Sequence, residues 1–154
     1  MNGYLLDTNH CTWLIDGYPE VIRRLKERGE ERMVTSVIVQ GELVFMARNS
    51  ERIDDNLNRV NSFLDGMEVL PVDTETAIRY GNMKAALLDH FGPRAGLKRR
   101  KIETRQLGFE ENDLWIAAAG LRHRLTVVTS DRDFDRIAEV ANVSVERWWP
   151  PELK

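Results

Sequence analysis

The sequence predicts an α/β fold built on a largely parallel sheet, and three observations lead there. Short apolar runs of strand length alternate with longer stretches at helical spacing. The 154 residues, 42% of them hydrophobic, suit one compact core rather than two. No repeat, linker or low-complexity segment interrupts the alternation, so the expected organisation is a single domain over residues 1–154.

Tyr4 to Leu6, Met67 to Leu70 and Thr126 to Val128 are too short for helices and are bounded by polar or turn residues, as buried strands are. Met33-Val34-Thr35 and Val143-Ser144-Val145 are weaker strand candidates. Between them Pro19 to Arg28, Val37 to Arg48, Asp54 to Leu64, Thr74 to His90 and Asp113 to His123 carry helical spacing. Strand–helix–strand units cross over right-handed, which places ligand chemistry at the carboxyl ends of the strands. Phe91 to Gly108 is the exception, because Gly92-Pro93, Gly96 and Gly108 break any helix there.

Charge marks the same segment. Arg94, Lys98, Arg99, Arg100, Lys101 and Arg105 against Glu103 give it a local +5, leaving −8 for the rest of a chain whose formal net charge is −3. Such a basic insert either holds RNA, through Lys98, Arg99, Arg100 and Lys101, or is simply a solvated loop. A lone cysteine, Cys11, excludes an internal disulfide and a cysteine metal cluster, and is expected to be a small buried hydrophobe. His10, His90 and His123 are too scattered to form a ligand set. With no basic and apolar leader and no apolar run near the ~18 residues that span a bilayer, a soluble cytoplasmic protein is expected. Trp148-Trp149-Pro150-Pro151 carries apolar surface for the core or for a partner.

Four acids stand out by position. Asp7 follows the first strand and Asp131 follows the strand at Thr126 to Val128, so both belong at the carboxyl edge of the sheet, although either could merely cap the next helix. Glu42 lies in Val37 to Ala47, a helix apolar nearly all round, where a carboxylate loses hydration unless it has a partner or occupies a narrow solvent stripe. Asp113 opens another apolar helix and could equally be a first-turn acid favoured by the helix dipole. With 25 acids in 154 residues, none is informative alone. Converged, the four would raise one another's pKa unless a cation sat between them. An all-oxygen donor set suits magnesium, or manganese in its place, and supports metal-assisted phosphodiester hydrolysis without a protein nucleophile.

Leu5-Leu6-Asp7-Thr8-Asn9, Thr35-Ser36-Val37 with Gly41-Glu42-Leu43, Glu111-Asn112-Asp113-Leu114-Trp115-Ile116-Ala117-Ala118 and Val128-Thr129-Ser130-Asp131-Arg132-Asp133-Phe134 together resemble the PIN domains, and within them the VapC toxins. The resemblance spans nearly the whole chain. It implies a three-layer α/β/α sandwich and assigns metal binding to Asp7, Glu42, Asp113 and Asp131. Thr8, Asn9 and Thr129 would be supporting polar groups and Asp133 an accessory acid. It further implies a magnesium-dependent endoribonuclease toxin, a homodimer and a VapB-like antitoxin. The basic insert departs from compact members of the family. An aspartyl phosphotransferase would need a second aspartate where Asn9 stands. A non-catalytic PIN-like module that binds RNA or protein is the alternative, and the presence of all four acids argues against it.

Overall fold

The computed structural model describes residues 3–92 and 102–151, and Lys98, Arg99, Arg100 and Lys101 lie outside them. Five strands form one sheet in the order β3-β2-β1-β4-β5, with every neighbouring pair parallel. They are β1 Tyr4–Leu6, β2 Met33–Ser36, β3 Glu68–Leu70, β4 Thr126–Val128 and β5 Val145–Glu146. The described helices are α1 Thr8–Ile15, α2 Pro19–Glu27, α3 Val37–Arg48, α4 Ile53–Asp65, α5 Thr74–Phe91, α6 Glu111–His123 and α7 Asp133–Val140, with a 3-10 turn at Thr104–Leu107.

The first three strands step outward to one side of β1, and the fourth returns to its other side. That reversal leaves a crevice outside the carboxyl ends of β1 and β4, where doubly wound folds bind ligands. Leu5, Leu6, Val34, Val127 and Val128 are buried with Ile116 to Ala119 of α6, so a strand hydrophobic on both faces meets a helix of small residues. The approach is close at Gly120, where a Cβ would come within 2.7 Å of Val127 Cγ2. Gly3 enters β1 at φ +129, and a side chain there would fall on the Arg32 carbonyl.

The structure differs from the sequence expectation in element boundaries, in two short helices and in exposure. β3 starts at Glu68 rather than Met67, and β5 starts at Val145 rather than Val143 and ends at Glu146. Helices α1 and α7, both of eight residues, were not among those expected from spacing. The Val37–Arg48 helix is not enclosed: Val37 is 37% exposed, Met46 45% and Phe45 66%. The segment before α6 is not wholly a solvated loop either, since Thr104 and Phe109 are buried.

Trp148 answers the question of the aromatic tail by packing on the core, 1% exposed. Its ring meets Tyr4 and His10 edge to face, with the Arg28 guanidinium 5.1 Å from its centroid. The buried His10 Nε2 accepts the backbone N–H groups of Trp148 and Trp149 at 3.3 Å each. Burial holds that imidazole neutral, its pKa lowered to about 4. Cys11 is fully buried, as expected. Among the described residues no helix is long and apolar enough to cross a membrane.

Candidate active site

Asp7 is both a helix cap and a cleft residue. As the N-cap of α1 it accepts the Thr8 backbone N–H through Oδ1 at 2.7 Å, while Oδ2 accepts the Thr129 hydroxyl at 2.7 Å. Thr129 follows β4, so this bond crosses from one side of the strand-order reversal to the other. The same hydroxyl receives the Asp131 backbone N–H at 3.1 Å, and Asp131 Oδ1 receives that of Asp133 at 2.9 Å. For Asp7 the capping and functional readings are therefore not rivals, because the cap fixes where its carboxylate points; the helix after Asp131 has Arg132 as its N-cap, and Asp131 is oriented by the Asp133 backbone N–H instead.

Glu42 is brought in from α3, where the Thr8 hydroxyl donates to its Oε1 at 2.9 Å. Asp113 sits in the first turn of α6, its backbone N–H bonded to the Glu110 carbonyl at 3.1 Å. Asp7, Thr8, Asn9, Glu42, Asp113 and Asp131 line one cleft of about 340 Å³, together with Met46, Glu110 and Asn112. Asn9 reaches across its mouth to Ser130 Oγ at 3.2 Å. Asp113, Asp131 and Asp133 each offer a carboxylate oxygen, and the three oxygens lie within 4.8 Å of one another. Asp133 thus joins two of the four acids expected from sequence, Asp113 and Asp131, while Asp7 and Glu42 line the same cleft outside that three-oxygen group.

Electrostatics describe a site short of positive charge. Burial raises the pKa of Asp7, opposed by the hydrogen bonds from Thr129 and Thr8 and reinforced by Asp131. Burial likewise raises Glu42, with Asp7 adding to it. Asp113 is pushed well above the usual carboxylate range, first by burial and then by the charges of Asp7 and Asp131. Its Oδ2 is buried without a hydrogen-bond partner. An orphaned buried carboxylate oxygen among all-oxygen donors is what a hard divalent cation satisfies, so the residues present fit one.

Sequence reasoning did not single out Glu110, Asn112 or Met46 as cleft residues. Asn112 and Glu110 could have been suspected from their places beside Asp113. Met46 could not, because its relevance depends on which face of α3 turns toward the cleft. Glu111 takes another role: it accepts from Lys84 Nζ at 2.8 Å, from the Thr104 hydroxyl at 3.0 Å and from the Tyr80 hydroxyl, tying α5 and the 3-10 turn to the start of α6.

Comparison with known proteins agrees with this geometry. The family model described as PIN domain matches residues 4–140. The tRNA(fMet)-specific endonuclease VapC of Salmonella typhimurium is 32% identical over 149 residues, 96% of this chain and 99% of the relative. The structure of DNA-bound VapBC from that organism is 29% identical with a TM-score of 0.75, covering 96% of this chain and 99% of the other. VapBC2 of Rickettsia felis, solved with a DNA fragment from its promoter, shares the fold at TM-score 0.77 and 23% identity, covering 95% and 98% of the two chains. The chain belongs to the PIN-domain family, among its VapC-type ribonucleases.

Proposed function

We propose that the cleft formed by Asp7, Glu42, Asp113 and Asp131, with Asp133 at its edge, holds magnesium and hydrolyses RNA phosphodiester bonds. The observation that carries this reading is the buried, unpartnered Asp113 Oδ2, in a carboxyl whose pKa is raised first by burial and then by neighbouring charge, with Asp7 and Glu42 in the same cleft also raised by burial. Bound there, the cation would activate water and neutralise charge developing on the phosphate. The chain's own contribution is orientation. Thr129 and the Thr8 backbone hold Asp7, the Thr8 hydroxyl holds Glu42, and the Asp133 backbone holds Asp131. None of these carboxylates then needs to reorganise as charge shifts.

As a VapC-type ribonuclease the chain is a toxin, and its proposed partner is a VapB-like antitoxin that inhibits by offering a basic side chain to the acids. The solved relatives are VapBC complexes, which supports that partner. A homodimer is proposed as well, supported by the exposed apolar side chains of α3, above all Phe45. The Salmonella relative's name makes initiator tRNA the first substrate to try. Lys98, Arg99, Arg100 and Lys101 would guide the RNA backbone toward an otherwise repelling acidic cleft. Incubation with initiator tRNA and with total RNA tests the reading. Discrete magnesium-dependent cleavage that is lost in Asp7→Asn is expected; an intact RNA under all conditions would favour a binding module instead.

A further inference from the structure

Arg136 of α7 is held on several sides at once. Its guanidinium carbon lies 4.3 Å from the centroid of the Phe109 ring and 4.8 Å from that of Phe91. Nη2 donates to the Leu107 carbonyl at 2.9 Å, and Nη1 stands 3.6 Å from Asp133 Oδ1. Phe91 ends α5 and Phe109 precedes α6, so one side chain grips both ends of the segment between them. Gly108, at φ +92, leaves room for it: a Cβ there would come within 3.1 Å of Nη1. A guanidinium stacked on aromatic rings and bonded to a carbonyl has little freedom left, so its charge is fixed in place.

We propose that Arg136 is a built-in counter-cation of the acidic cluster, held beside Asp133 so that it competes with a divalent ion for that carboxylate and weakens the ion's binding. The proposal rests on the reading of the cleft as a cation site. Asp133 shares the cluster with Asp113 and Asp131, and a fixed positive charge beside one member opposes the entry of another. The contact at 3.6 Å is an ion pair too long for a strong hydrogen bond, so Asp133 can turn toward an arriving ion. Arg136 cannot follow, because its other contacts are to Phe91, Phe109 and Leu107 and remain intact. Arg136 is thereby a positioning residue, acting on the cluster through Asp133 while it is held by Phe91, Leu107 and Phe109.

The test is manganese alone, titrated into the purified full chain and followed by the electron paramagnetic resonance of the free ion. Arg136→Met removes the charge and keeps an apolar stem between the rings. It is expected to bind manganese about three- to ten-fold more tightly, the scale of a partly screened ion pair acting on a divalent charge. Arg136→Lys keeps a mobile cation without the planar fork and is expected to fall between that variant and wild type; it carries the same test if Arg136→Met does not fold. In an Asp133→Asn background, Arg136→Met should lose most of its effect. Melting in EDTA supplies an independent readout, because a merely structural arginine would lower stability and weaken manganese binding together. Here lower stability and tighter binding are expected. Unchanged or weaker binding by folded Arg136→Met, while wild type binds normally, overturns the proposal. A wild-type chain that binds no manganese overturns the cation-site reading itself, and this proposal with it.

Discussion

At the level of single residues, the acids that serve the cleft work against the fold when no cation is present. Asp7, Glu42 and Asp113 all have raised pKa values, each with burial as the first cause. An acid whose pKa is higher folded than unfolded costs nothing below its unfolded value and destabilises increasingly as pH climbs through its folded value. Melting of the metal-free chain should therefore fall as pH rises above the ordinary aspartate value of 3.8 toward the folded pKa of Asp113, about 8. Millimolar magnesium should flatten that fall. A melting temperature that rises across the same window in EDTA would contradict it. Asp73 works with the opposite sign. The Thr76 hydroxyl and backbone N–H, and then Arg122, lower its pKa to about 2, so its contribution is present above 3.8 and lost as pH falls toward 2. Asp113→Asn should abolish cleavage while raising the metal-free melting temperature by about 2–4 °C, equivalent to roughly 1 kcal/mol in a chain of this size. A stabilised variant that still cleaves would separate Asp113 from the chemistry. The positions of Asp7 and Asp131 were legible in the sequence because a strand end is a place the pattern defines. Asp133 was legible only as an accessory, since its approach to Asp113 depends on how α7 starts.

Elements were legible in proportion to their length and regularity. The Tyr4–Leu6 and Thr126–Val128 strands, and α3, stand where periodicity put them. Eight-residue α1 and α7 escaped because so few turns give a weak periodic signal. Two-residue β5 was misplaced because pairing with β4, rather than local pattern, selects it. Phe45 shows a deeper limit: an apolar helix can be read from sequence, but whether its outer face meets core, solvent or another chain cannot. Phe45→Glu should leave the monomer folded and, if α3 forms the proposed dimer contact, shift sedimentation from dimer to monomer; an unchanged dimer would place that contact elsewhere. Trp148 braces β1 and α1 through Tyr4 and His10. Trp148→Ala should cost about 3–5 kcal/mol, read from denaturant unfolding, as large buried aromatics do. A loss under ~1 kcal/mol would show that the tail is dispensable packing.

On the scale of the whole molecule, the strand-order reversal gathers acids from β1, α3, α6 and the β4 connection into one cleft. The overall charge conceals this arrangement, because a formal −3 combines an acidic site with the basic run Lys98, Arg99, Arg100 and Lys101. Replacing those four by alanine should weaken RNA binding and lower its salt slope by roughly 0.7 for each single-strand phosphate contact removed, with manganese binding unchanged. An unchanged slope would remove the segment from the substrate path. The converged carboxylates should make RNA hydrolysis depend on a divalent cation. That dependence is read from the single-turnover cleavage rate of initiator tRNA, measured as magnesium is added back to the EDTA-treated chain, with Asp7→Asn alongside. No cleavage in EDTA, a saturable rise with magnesium in wild type and none in the variant are expected. Cleavage that persists in EDTA, or a variant as fast as wild type, would contradict it.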